Sequence, residues 1–177
     1  NTALCVGPDI EYVRVKSFNP YTGAEAIYVV AKSLVSEWFS PKAAELQLED
    51  YKPGDKLIPF KVLDGTFKGS DLVGIRYHQL IPWFKPLEGD AFRVIPGDYV
   101  STDEGTTGIV HIAPTFGADD KKVAAAAGIP PMMVLDKNGN PQPQVDHDGR
   151  FCLLEDLDPE YVATHVAPEY KEYAGRF

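Results

Sequence analysis

The segment that most constrains the fold is residues 108–128, "GIVHIAPTFGADDKKVAAAAG". Its first part is a run of β-branched residues bounded by glycine and proline, which predicts a strand. Pro114 has no backbone N–H, so strand pairing should stop there. The second part has carboxylates, then alanines and a closing Gly128, as is typical of a helix that ends in a glycine. The segment therefore predicts a strand, a sharp turn and a helix.

The rest of the chain predicts many short strands and few helices. Residues 10–18 and 25–34 are rich in β-branched and aromatic residues on either side of a turn, which indicates a hairpin. Ser40 followed by Pro41 indicates the start of a further helix. We expect an α/β fold, a β-barrel-like core of short strands with peripheral helices, in which Gly108–Pro114 forms an inner strand.

Length and charge limit the possible classes of protein. A chain of 177 residues that is 44% hydrophobic can bury one core, and we expect residues 1–177 to form a single domain. A net charge of −9 argues against a free-standing nucleic-acid binder. No apolar run reaches the roughly 18 residues of a membrane span, and no secretory signal is present. Cys5 and Cys152 lack metal-ligand spacing, so we expect thiols in a reducing compartment.

Two groups of side chains are candidates for chemistry. His111 stands at the end of the predicted strand, and Asp119 and Asp120 stand at the start of the predicted helix. One aspartate is enough to cap a helix, so the other could bind a cationic group. The run Asp146–Asp148 could bind a metal in a metal-dependent hydrolase, but Asp-Gly is also a hairpin signal.

The central motif resembles a known family. "EGTTGIVHIAPTFGADD" is similar to the core motif of the editing domain, connective polypeptide 1, of the isoleucyl-tRNA synthetase family within the class I aminoacyl-tRNA synthetases. That pattern is Gly-Thr-Gly-Ile-Val-His-x-Ala-Pro-x-x-Gly-x-Asp-Asp, and this chain has one additional Thr in its Gly-Thr-Thr-Gly turn. "FKGSDLVGIRYHQLIPWF", "IPGDYVSTDEGTTG" and "MMVLDKNGNP" resemble flanking elements of the family. The resemblance covers nearly the whole chain, which lacks an initiator Met and is interpreted as a fragment of a larger synthetase.

The resemblance implies hydrolytic editing, in which water cleaves valine from the tRNA for isoleucine. It implies catalytic roles for three residues: Asp120 would hold the α-ammonium group, His111 would exclude the isoleucine side chain, and Asn1 would position substrate or water. The implied substrate-binding residues are Ile112, Ala113, Pro114, Thr115, Phe116 and Gly117.

The resemblance also implies the setting of the reaction. No metal and no cofactor are expected in this domain, because ATP is used by the synthetic domain of the full enzyme. The expected partners are the tRNA 3′ end carrying valine and the rest of the synthetase chain, with a monomeric fragment, a cytoplasmic location and no membrane. The alternative is a non-catalytic tRNA-positioning module derived from an editing domain.

Overall fold

The computed structural model describes residues 1–177, and their fold is mixed α/β. The eight strands are β1 (Ala3–Val6), β2 (Glu11–Phe18), β3 (Glu25–Ala31), β4 (Lys61–Lys68), β5 (Arg93–Pro96), β6 (Ile109–Ile112), β7 (Val134–Leu135) and β8 (Pro141–Gln142). The four α-helices are α1 (Val35–Trp38), α2 (Gly69–Leu72), α3 (Ala118–Ala126) and α4 (Pro159–His165). Short 3₁₀ turns connect them.

The predicted hairpin is confirmed. β2 and β3 pair antiparallel from Tyr12 opposite Ala31 to Phe18 opposite Glu25. β4 pairs antiparallel with the other edge of β2, with a register shift between Val13 and Val15. Tyr12, Val13 and Val15 of β2 are buried, whereas Glu11 and Arg14 are exposed, so β2 contributes side chains to a core.

The predicted barrel-like core is not confirmed. The strands form three small sheets, ordered β5-β1-β6, β3-β2-β4 and β7-β8, and none of them closes into a barrel. β6 is an edge strand of its sheet, and only Ile112 of its four residues is buried. The prediction of an inner strand at this position is therefore wrong.

The chain divides into two compact units. The first comprises residues 1–4, 74–94 and 111–177, and the second comprises residues 5–73 and 95–110. The core of the first unit is an apolar cluster of Phe84, Met132, Val134, Leu157, Tyr161 and Tyr170. The core of the second includes Tyr12, Val13, Val15, Val30 and Leu34. The assignment of residues 1–177 to one domain stays a prediction.

α4 and the segment predicted to form a helix at Pro41 differ in their N-terminal caps. α4 begins after Asp158, whose carboxylate accepts a hydrogen bond from the Tyr161 amide at 2.8 Å, as an acidic N-cap should. The helix predicted to start at Pro41 is wrong: only a 3₁₀ turn, Pro41–Ala43, forms there, and the Ser40 hydroxyl caps nothing. Without a side-chain cap, a short segment has little to offset the entropy of helix nucleation.

No helix of the chain is both long and apolar enough to cross a membrane. No disulfide joins Cys5 and Cys152.

Candidate functional site

The strand-turn-helix corner forms as predicted. β6 ends at Ile112, and the amides of Phe116 and Gly117 both donate to the Ala113 carbonyl, at 3.0 and 3.1 Å. Pro114 lies inside this turn, where its missing N–H costs no ladder bond. Gly117 is the N-cap residue of α3. The corner is therefore a tight turn closed by backbone hydrogen bonds.

Asp120 extends its side chain back over the turn. Its Oδ2 atom accepts a hydrogen bond from the Ala113 amide at 2.8 Å. A Cβ atom on Gly117 would lie 2.9 Å from the Asp120 Cγ atom, so this position must be glycine for the carboxylate to stay where it is. No lysine, arginine or histidine forms an ion pair with Asp120. The carboxylate is thus oriented by the turn and has no protein cation to neutralise it.

Asp119 has a different environment and does not cap the helix. Its side chain is exposed and lies 3.4 Å from the Lys122 ammonium group. The N-cap residue of α3 is Gly117, and no side chain makes the cap hydrogen bond. The expectation that one aspartate caps α3 is therefore wrong. The N-cap residue, Gly117, has no side chain, and the Asp120 carboxylate accepts from the Ala113 amide instead of from an amide of the first helical turn.

His111 is the third residue of β6 and is exposed, whereas the adjacent Ile112 is fully buried. The Ile112 carbonyl accepts a hydrogen bond from the Thr2 amide at 2.8 Å, which ties β6 to the start of the chain. No hydrogen bond or ion pair involves the His111 imidazole. A histidine that acts as a general base is usually oriented by a third group, and here no carboxylate does so.

A cavity of about 310 Å³ lies beside the turn. Its volume is at the lower end of the range for ligand pockets. Five of the predicted site residues line it: Asn1, Ala113, Pro114, Thr115 and Phe116. His111, Ile112, Gly117 and Asp120 are not among its lining residues. The structure therefore gathers most of the predicted binding residues around one space, with the two charged or titratable candidates outside its walls.

Two hydrogen bonds fix the polar edge of this cavity. The Tyr77 hydroxyl donates to the Asn1 side-chain oxygen at 3.0 Å. Burial raises the pKa of Tyr77 to about 12, so this hydroxyl remains a donor even at alkaline pH, where an ordinary tyrosine begins to ionise. The Thr115 hydroxyl donates to the Met132 carbonyl at 2.8 Å. Asn1 therefore has a defined position at the edge of the cavity.

Not every backbone amide of the corner can bind a ligand. The amides of Ala113, Phe116 and Gly117 already donate to Asp120 or to the Ala113 carbonyl. These three amides are therefore not free to donate to ester or ribose oxygens of a substrate. The turn uses them for its own closure.

The aromatic wall of the cavity was not predicted. Trp83, Phe84 and Phe151 line it together with Leu80 and Ile81. The dense apolar run "LIPWF" at residues 80–84 is the signal that could have indicated a wall. Phe151 gives no such signal, because it lies far along the chain beside a turn.

The run Asp146–Asp148 forms a turn. One Asp146 carboxylate oxygen accepts from the amides of Asp148 and Arg150, both at 2.9 Å. No group of three or more histidine, cysteine, aspartate or glutamate side chains is placed to hold a metal ion. Of the two interpretations left open, the hairpin turn is the one observed.

Searches against known proteins identify relatives. No family model matches the chain. It is 61% identical over 178 residues to the isoleucine–tRNA ligase of Bacteroides fragilis, which covers 100% of this chain and 15% of that protein. It is 55% identical over 186 residues to that of Bacteroides thetaiotaomicron, covering 99% of this chain and 16% of the relative. For Porphyromonas gingivalis the identity is 53% over 179 residues, covering 100% and 16%.

The chain thus spans about 15% of the length of these curated relatives. Identity above half over the whole chain is far beyond what a shared fold alone would produce. Over its whole length, the chain is homologous to a segment of the isoleucine–tRNA ligase family.

Proposed function

We propose that this segment hydrolyses valine misattached to the tRNA for isoleucine, within an isoleucine–tRNA ligase. The observation that carries the proposal is the Asp120 carboxylate. It accepts a hydrogen bond from the Ala113 amide and lacks a protein cation. Ala113 and the three residues that follow it line the cavity. A carboxylate in this state suits a ligand ammonium group, and the aminoacyl ester of a tRNA carries one.

A ligase for isoleucine needs such a second site. One methylene in an apolar pocket contributes only about 1–3 kcal/mol, a limit for which isoleucine and valine are the usual example. A separate site that accepts the smaller amino acid and hydrolyses its ester removes the error. The cavity beside the turn, about 310 Å³, is large enough to hold an amino-acid side chain.

Each residue has a role in the proposed reaction. Asp120 binds the α-ammonium group and so orients the ester, which converts binding energy into proximity. His111 limits the size of the amino-acid side chain. Asn1, held by Tyr77, positions the substrate or the attacking water. Water is the nucleophile, and the hydroxyl groups of the terminal ribose are close enough to the ester to assist.

We infer the setting of the reaction from the similarity to isoleucine–tRNA ligases. The partners are the 3′ end of the tRNA carrying valine and the remainder of the ligase chain, in the cytoplasm. The hydrolysis needs no cofactor, since ATP serves the synthetic reaction elsewhere in the enzyme.

The test compares two adjacent aspartates in the full-length ligase. Asp120→Asn keeps an oxygen that can accept from Ala113 but removes the charge, so hydrolysis of valyl-tRNA should fall about 10- to 100-fold. Asp119→Asn is the matched control, because that side chain is exposed and touches only Lys122. Aminoacylation with isoleucine should be unchanged in both.

The same two variants distinguish the proposed hydrolysis from the alternative function. A non-catalytic tRNA-positioning module predicts no hydrolysis of valyl-tRNA by the wild type, and equal behaviour of the two variants. Loss of hydrolysis in Asp119→Asn as well as Asp120→Asn would also refute the specific role of Asp120.

A further inference from the structure

The turn Gly105–Gly108, directly before β6, is held at every residue by a group from β2, β3 or α1. Two bonds come from α1: Glu37 Oε1 accepts from the Gly105 amide, and Trp38 Nε1 donates to the Thr106 carbonyl at 2.7 Å. The other two come from the strands: the Ala31 amide donates to the Thr107 carbonyl at 3.0 Å, and the Tyr12 hydroxyl donates to the Gly108 carbonyl. Protein groups thus satisfy four successive residues of a turn whose exposed backbone could otherwise bond to water. The turn is therefore clamped.

Two of the four bonds come from surface side chains. Glu37 and Trp38 lie on α1, a four-residue helix, and Trp38 is 51% exposed. An exposed tryptophan contributes little to a core, whereas its indole N–H here reaches a backbone carbonyl of the turn. The position of these two side chains is explained by the turn they hold.

The turn also packs closely against β3. Gly108 has φ +75°, which favours glycine, and a Cβ atom there would lie 2.6 Å from the Ala31 Cβ atom. A side chain at residue 108 would therefore clash with β3, so only glycine lets the turn pass this close to Ala31. β6 begins at the next residue, Ile109, and His111 is the third residue of that strand. Because β6 follows the turn directly, the hydrogen bonds that hold the turn also fix the position at which the strand starts.

We propose that Glu37 and Trp38 are positioning residues, which hold the Gly105–Gly108 turn and so fix the start of β6, the strand that carries His111. The inference rests on the proposed function, in which His111 limits the size of the amino acid. If the start of β6 can shift, the position of the His111 side chain varies. Loosening the clamp should therefore reduce the selectivity for valyl- over isoleucyl-tRNA before it reduces the rate of hydrolysis.

The experiment uses Trp38→Phe, which keeps the ring and removes the N–H, and Glu37→Ala in the full-length ligase. Glu37→Gln serves as the conservative variant, because its amide oxygen can still accept from Gly105. Ser36→Ala is the matched control, since Ser36 is exposed on the same helix and makes no hydrogen bond. Amide hydrogen exchange is followed at Gly105 and Ala31, and hydrolysis rates are measured for valyl- and isoleucyl-tRNA.

We expect exchange at Gly105 and Ala31 to rise about three- to tenfold in Trp38→Phe and Glu37→Ala, as for the loss of one hydrogen bond. The ratio of valyl- to isoleucyl-tRNA hydrolysis should fall by a similar factor, while Glu37→Gln and Ser36→Ala keep the wild-type ratio. Faster exchange with an unchanged ratio would overturn the positioning role and leave the proposed function standing. Unchanged exchange would show that no clamp exists. A wild type that hydrolyses neither ester would defeat the proposed function, and the positioning role with it.

Discussion

At the scale of single residues, His111 and Asp120 have opposite kinds of environment. Asp120 is held by a backbone amide at 2.8 Å, so its geometry is defined before any ligand arrives. The His111 imidazole is exposed and has no hydrogen-bonding partner. A side chain that no neighbour orients is poorly suited to proton transfer, but it can still occupy volume. This contrast favours an anchoring role for Asp120 and a steric role for His111.

His111→Ala tests the steric role in the full-length ligase. Removing the ring should allow the site to hydrolyse correctly made isoleucyl-tRNA, while hydrolysis of valyl-tRNA continues because Asp120 still anchors the ammonium group. If His111 were a general base, both rates would instead fall by about 10²- to 10⁴-fold. The decay of isoleucyl-tRNA with the variant decides between the two, because only the steric role predicts a rise.

At the scale of elements, the corner between β6 and α3 depends on one glycine. Gly117 has φ −104°, which any residue can adopt, so its backbone does not require glycine. The requirement comes from Asp120, whose Cγ atom would lie 2.9 Å from a Cβ atom at this position. The N-cap glycine thus keeps open the space through which the carboxylate reaches Ala113.

Gly117→Ala should push the Asp120 carboxylate off the Ala113 amide and lower valyl-tRNA hydrolysis at least as much as the loss of one hydrogen bond, about three- to tenfold. Ala125→Gly is the control, because it weakens α3 by about 1 kcal/mol at an exposed position without touching Asp120. Denaturant titration measures the stability of both variants. Equal losses of hydrolysis in the two would mean that helix stability matters and the glycine contact does not.

At the scale of the whole molecule, the chain carries a net charge of −9, and its exposed carboxylates set the response to acid. Arg76 forms two hydrogen bonds at 2.7 Å to Asp90, and Arg93 lies 3.4 Å from the same carboxylate. The hydrogen bonds from Arg76 hold the pKa of Asp90 below its ordinary value of 3.8. Backbone and side-chain bonds from Asn140 likewise lower the pKa of Asp136.

A folded-state pKa below the unfolded value means that the stabilisation is complete above the ordinary aspartate value and is lost as the pH falls through the folded value. Asp90→Asn should therefore lose less stability than the wild type between pH 7 and pH 3. The difference should be small, since solvent screens an exposed pair. Urea titrations of the 177-residue chain at the two pH values measure it. A variant as acid-sensitive as the wild type would remove Asp90 from this role.

The sequence by itself determined the local elements at the corner. The β-branched run, Pro114 and the alanines dictated β6, the turn and α3, because dihedral limits and helix propensity act over a few residues. The hairpin of β2 and β3 followed from periodicity and a turn in the same way. The motif around His111 and Asp120 also identified the family that the relatives confirm.

Only the tertiary structure decided the contacts between distant segments. It made β6 an edge strand, left residues 41–50 without an α-helix, and placed Trp83 and Phe151 in one cavity wall. It also gave Asp120 its hydrogen bond to Ala113 and left α3 without a side-chain cap. These outcomes depend on which segments pack together, and packing is a sum of many weak long-range contacts that no local pattern encodes.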